Sequence, residues 1–182
     1  MSDSQLQVYE ALLALCNLAS MNDELRARIY SEKGVRHVES HMFSENEMIQ
    51  RAAVEVMCNM MFYEEVYDSF AEAASVEKFR IYIALSGAED FEMQRAASGA
   101  LAIMSSSENV ARLMFGDAST MPNVLALLQS DKDELRHRGA EILKNLSEVK
   151  EVASELAKSG IAEAVELLCQ VGNSAIKKCA EV

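Results

Sequence analysis

Four segments of this chain align with one another without gaps: YEALLALCNLA (Tyr9 to Ala19), RAAVEVMCNMM (Arg51 to Met61), RAASGALAIMS (Arg95 to Ser105) and HRGAEILKNLS (His137 to Ser147). With Asn17, Asn59, Ile103 and Asn145 taken as equivalent, the segments recur at intervals of 42, 44 and 42 residues. A period of that length belongs to units of two or three helices that cannot bury their apolar faces alone and must stack into a solenoid. Few other architectures are compatible with it.

The aligned columns obey helix geometry. Six residues before the marker stand Ala11, Ala53, Ala97 and Gly139, all small, as close helix approach requires. Two before it come Leu15, Met57, Leu101 and Leu143, and one after it Leu18, Met60, Met104 and Leu146. With Ala14, Val56, Ala100 and Ile142, three before the marker, they form the buried stripe of an amphipathic helix. Met57, Met60 and Met104 read as core filler, since methionine adapts to irregular gaps.

Two shorter helices fit between successive long ones. In the second repeat these are Glu24 to Ser31 and Val35 to Met42, with Gly34 as the break. Ser44 followed by Glu47 has the spacing of a capping box opening the third helix, and Ser130 and Asp133 recur in the same register. Gly116 and Gly160 mark comparable breaks, and Ser105 to Ser107 read as a capping turn before Glu108. Three helices per unit favour armadillo over HEAT repeats. The expected fold is all-α, an armadillo-type right-handed helical solenoid truncated at both ends. Its expected divisions are a third helix of a broken repeat (1–20), three repeats (22–62, 63–106 and 107–147) and an incomplete repeat (148–182), with another third helix around Ile176. Solenoid ends without polar caps expose apolar faces, so self-association through them is expected.

Composition narrows the function. The formal net charge of −12 opposes binding to nucleic acid or to anionic membranes, both of which need a cationic footprint. Protein partners with basic or mixed surfaces are expected instead. No apolar run approaches the ~20 residues that span a bilayer, and Met1 to Glu10 lacks the basic start and apolar centre of a secretory signal. Cys16, Cys58, Cys169 and Cys179 lie far apart with no C-x-x-C pair, which reads as reduced thiols of a cytoplasmic protein. His37 and His41 are one helical turn apart but lack a third ligand, so no metal is expected. Neither a Gly-rich phosphate loop nor a nucleophile elbow is present, so neither a catalytic residue nor a cofactor is expected and the chain reads as non-enzymatic.

Residues eight and four before the marker share one narrow helix face with the marker itself. They read Tyr9, Leu13, Asn17; Arg51, Glu55, Asn59; Arg95, Gly99, Ile103; and His137, Glu141, Asn145. This stripe is more polar than the core columns and is expected to line a solvated, concave partner-binding groove. Asparagine amides suit an extended peptide because they both donate and accept. Arginine adds a planar fork for carboxylates, and tyrosine an aromatic body with a polar tip. Nuclear-import adaptors place a tryptophan four residues before each groove asparagine. Here those positions hold Leu13, Glu55, Gly99 and Glu141, which leaves a peptide-binding adaptor of that type as an alternative without its aromatic slots. A structural module that assembles through its ends is the other alternative.

The blocks VYEALLALCNLASMNDELRARI (Val8 to Ile29), MIQRAAVEVMCNMMF (Met48 to Phe62), SGALAIMSS (Ser98 to Ser106) and HRGAEILKNL (His137 to Leu146) resemble the C-terminal UCS domain of animal myosin chaperones. The resemblance runs over essentially the whole chain and is densest up to Phe62. It implies a chaperone region that engages the myosin motor domain through its concave groove and assists myosin folding and thick-filament assembly in the cytoplasm, at the sarcomere in muscle. Tyr9 and Asn17 match the family's groove residues, whereas the other stripe positions follow from repeat register. The tetratricopeptide repeats through which that family recruits an ATP-driven chaperone are absent from this chain. Such recruitment is therefore expected only through other regions.

Overall fold

A computed structural model of the chain describes residues 2–71, 76–158 and 161. Its helices, in order, are α1 (Asp3–Met21), α2 (Asp23–Ser31), α3 (Gly34–His41), α4 (Glu47–Met60), α5 (Glu64–Ala71), α6 (Val76–Ser86), α7 (Phe91–Met104), α8 (Glu108–Gly116), α9 (Thr120–Leu128), α10 (Asp133–Glu148) and α11 (Lys150–Lys158). The repeated segments fall on α1, α4, α7 and α10, and two short helices separate each successive pair. Each of these long helices packs on the next, and α3, α6 and α9 pack on the long helix that follows them. The result is an all-α solenoid of the armadillo type. Among the described residues no strand occurs, and no helix is long and apolar enough to cross a membrane. The Gly160 break and Ile176 lie outside the described residues.

Side chains at the helix ends decide where each helix starts. Ser2 and Gln5 form a capping box on α1, and the Asn22 side chain accepts from Leu25 N to open α2 as α1 ends. The start of α4 differs from the sequence expectation. Its cap is Asn46, whose side chain accepts from Met48 N and Ile49 N, while Ser44 Oγ accepts from Asn46 N at 3.2 Å. Ser130 Oγ does the same to Lys132 N, also at 3.2 Å. The recurring serine therefore shapes the turn two residues ahead of the N-cap and does not cap the helix. Likewise Ser105 and Ser106 turn their hydroxyls back to the carbonyls of Ala102 and Ile103 on α7, and Ser107 caps α8 without a side-chain bond.

The break between α2 and α3 also moves. Lys33 takes the left-handed conformation (φ 61°), and Gly34 is the first residue of α3. A Cβ on Gly34 would stand 2.9 Å from the Ile29 carbonyl oxygen, so close approach requires the glycine there and Lys33 adopts the turn.

The core columns behave as expected in α4 and α7, and in α10 except at Leu143, which is half-buried. Ala53, Ala97, Val56, Ala100, Ile142, Met57, Met60, Met104 and Leu146 are buried. At Gly139 a Cβ would lie 3.0 Å from Leu127 Cβ and 3.1 Å from Leu128 N, so α10 meets α9 where only hydrogen fits. In α1 three of the four columns are open: Ala11, Ala14 and Leu18 are exposed, with Leu6, Leu13 and Met21 beside them, while Leu15 is half-buried against the core. The reason is packing: α1 rests on α2 and α4, whereas α4 is enclosed by α1, α3 and α7.

Candidate functional site

The stripe converges on a cleft of about 210 Å³ that α4 and α7 line, with Cys16 of α1 and Arg138 of α10 at its margins. Of the stripe residues, Glu55, Asn59, Arg95, Gly99 and Ile103 line it. Sequence spacing did not single out Phe62, Cys58, Ala96 or Arg138, which complete the lining. Arg138 had a signal: it stands seven residues before its marker, in a column that holds Ala52 and Ala96 in the two preceding repeats.

Other stripe residues lie elsewhere. Arg51 borders a neighbouring hollow of about 580 Å³ between α4 and the start of α7. Its guanidinium reaches Asp90 at 3.3 Å, and the same carboxylate caps α7 by accepting from Met93 N at 2.8 Å. Burial opposes the Arg51 charge, and Tyr9 of α1 together with Asp90 outweighs it, so the guanidinium is held charged. Leu13 and Asn17 are exposed on α1, and His137 is exposed on α10. Glu141, half-buried on α10, pairs with Lys144 at 2.9 Å.

The asparagines are not equivalent. Asn59 Nδ2 donates to the Cys16 carbonyl at 3.2 Å and contacts Cys16 Sγ at 3.4 Å. Asn145 Nδ2 donates to the Ala102 carbonyl at 3.0 Å and to Ser105 Oγ at 2.9 Å. Cys16 and Ala102 each immediately precede the marker of the preceding long helix, so both amides make the same bond one repeat back. The expectation of a solvated stripe fails at two points: Asn145 is 6% exposed, and Gly99 is buried. There the stripe turns into the seam between helices, because neighbouring long helices approach closely enough to cover it.

Electrostatics in the cleft are mixed. Burial pushes the Glu55 carboxyl above its ordinary value, opposed by Arg51 and Arg95. Arg95 Nε holds Glu92 at 2.8 Å. Burial raises the Cys58 thiol to about 11 and, with Glu55, raises Cys16, so both sulfurs are poor nucleophiles near neutral pH. Among the described residues no three His, Cys, Asp or Glu side chains gather as a metal ion would require. The cleft therefore offers paired and unpaired charge, amide groups and one exposed aromatic ring, Phe62, to a surface laid across it.

A stack of helical repeats with a polar stripe shared between them defines an armadillo-type protein-binding module. No family model matches the chain. It is 37% identical over 174 residues to protein unc-45 homolog B of Xenopus tropicalis, a match covering 93% of this chain and 18% of that protein. Among solved structures it superposes on UNC-45 from Drosophila melanogaster with a TM-score of 0.86 and 28% identity, over 97% of this chain and 23% of the other. A second UNC-45 chaperone, studied for binding and folding muscle myosin, superposes at 0.85 with 25% identity over 94% of this chain and 20% of its own. A designed armadillo repeat protein in complex with the peptide (KR)4 superposes at 0.81 with 20% identity, over 99% of this chain and 75% of its own, a likeness of fold alone. Sequence and fold together relate this chain to one segment of the UNC-45 proteins, and it spans about a fifth of their length.

Proposed function

We propose that this module binds the myosin motor domain across the stripe and the cleft between α4 and α7, and so assists myosin folding and thick-filament assembly. The observation that carries the reading is the cleft itself. Long helices from successive repeats, with the turn after α4, bring Glu55, Asn59, Arg95 and Phe62 around one depression, and Arg51 lines a separate hollow on α4. The similarity to an UNC-45 chaperone described as binding and folding muscle myosin supports the choice of partner. The action is by binding, without a catalytic step or cofactor, in the cytoplasm and at the sarcomere. An ATP-driven chaperone enters only through regions outside this chain.

The test is motor-domain binding by the native chain and by two double variants, Tyr9→Ala/Asn17→Ala and Glu55→Ala/Arg95→Ala, with circular dichroism confirming helicity. A loss of about tenfold or more, roughly 1.4 kcal/mol, is expected in each variant. Unchanged affinity in both sinks the groove reading. A second reading, assembly with another copy, draws on the exposed Leu6, Leu13, Leu18 and Met21 of α1. Under that reading sedimentation shows concentration-dependent association that Leu18→Glu abolishes and the Tyr9/Asn17 changes do not touch.

A further inference from the structure

In a chain with 29 acidic and 17 basic side chains, a guanidinium without a carboxylate partner is unexpected. The half-buried or buried arginines and lysines of the described residues are Arg26, Arg51, Arg95, Arg136, Arg138 and Lys144. Five of them hold an acid: Asp23, Asp90, Glu92, Asp133 and Glu141 respectively serve Arg26, Arg51, Arg95, Arg136 and Lys144. Arg138 alone among the six has no carboxylate within ion-pairing distance in the described residues. Like Arg95 it lines the cleft, and it leans over α7. A Cβ on Gly99 would stand 3.7 Å from Arg138 Nε and 3.9 Å from its Cζ, so the glycine leaves the planar fork room to lie against the helix.

Withdrawing a guanidinium from water without a partner is unfavourable, and supplying a carboxylate to it on binding recovers a charge-assisted, two-pronged bond. We propose that Arg138 receives an aspartate or glutamate side chain of the bound polypeptide, and that Phe62, 61% exposed on the same cleft, takes an apolar side chain close to it. The inference rests on the cleft being the partner site and names the segment it selects: an acidic residue beside an apolar one. A phosphate group would also suit an arginine fork. A carboxylate brings the smaller charge to Glu55, and displacement by phosphate distinguishes the two.

The experiment uses short capped peptides tiling the motor domain, read by fluorescence anisotropy against the whole 182-residue chain. For peptides that bind, Arg138→Gln is expected to weaken affinity about tenfold. Replacing the critical peptide Asp or Glu by its amide is expected to weaken the native chain by the same factor and to add nothing in the Arg138→Gln background. Millimolar inorganic phosphate should displace these peptides no better than acetate does; selective displacement by phosphate overturns the carboxylate assignment. If Glu55→Ala/Arg95→Ala weakens binding while Arg138→Gln and the acid-to-amide changes do not, the cleft reading stands and the Arg138 proposal falls. If none of the cleft variants alters binding, or the folded native chain binds neither peptides nor the intact motor domain, the cleft reading itself falls and takes the proposal with it.

Discussion

The two junctions flanking α7 solve the same packing problem with different chemistry. On one side α10 docks through a buried amide, Asn145, which donates to Ala102 O and Ser105 Oγ. On the other side α7 docks on α4 with Ile103 in the marker column, so no amide is available there. Close packing replaces it: Gly99 brings the α7 backbone so near α4 that a Cβ would stand 3.1 Å from Cys58 Sγ. The junction between α1 and α4 is of the first kind, with Asn59 donating to Cys16. The polar clamp fixes register, because a buried amide tolerates no neighbour except its acceptor. The glycine seam fixes only distance. The candidate binding cleft spans both kinds of junction: Gly99 and Ile103 of the glycine seam line it, and so do Asn59 and Cys16 of the α1–α4 clamp.

The largest test of this contrast is Asn145→Leu, which removes both donors from a buried site. We expect a loss of about 2 kcal/mol in urea-induced unfolding. The half-buried Asn59→Leu should lose about half as much. Equal small losses at both sites would remove the clamp from the account.

The glycine seam should show itself in alkaline solution. The Cys58 thiol is neutral in the folded chain up to about pH 11 because of burial, whereas an unfolded thiol ionises near 9. Protons are then bound more tightly by the native state. The resulting stability is present below pH 9 and lost as pH rises through 11. On the order of 1–2 kcal/mol should vanish across that interval in the native chain relative to Cys58→Ala. Parallel stability curves for the two proteins would contradict burial of the sulfur.

Gly99→Ala should cost about 1 kcal/mol through overpacking against Cys58. In a Cys58→Ala background that penalty should largely disappear, and this non-additivity is the measurable sign that the two touch. The smallest effect is expected from Ile103→Asn, which offers the seam an amide like those of the flanking junctions. Stability should change by less than about 0.5 kcal/mol, as a new bond offsets lost apolar burial. A gain well beyond that would show the seam to be an incomplete clamp.

The helical course of the chain was legible because helix periodicity is written in residues three and four apart. The 42 to 44 residue spacing placed α1, α4, α7 and α10, and the small column marked buried positions at Ala53 and Ala97 and the close contact at Gly139. Shorter signals were less faithful. Ser44 and Glu47 have capping-box spacing, yet Asn46 lies nearer the first free N–H groups and takes them. Gly34 looked like the break, but its role is close approach to Ile29, and Lys33 carries the left-handed turn. The stripe was legible as a face and not as a surface: whether Asn145 meets solvent or a neighbour depends on how near α7 comes.

From the sequence alone follow the repeat, its helices, their apolar faces and the polar column between them, since each is a property of side chains close together along one chain. Tertiary structure alone decided which asparagines are consumed as clamps, where the cleft opens and which half-buried arginine is left without an acid among the described residues. Those outcomes depend on atoms about 40 residues apart in sequence and within a few ångströms in space, from Asn145 to Ala102 and from Arg138 to Gly99.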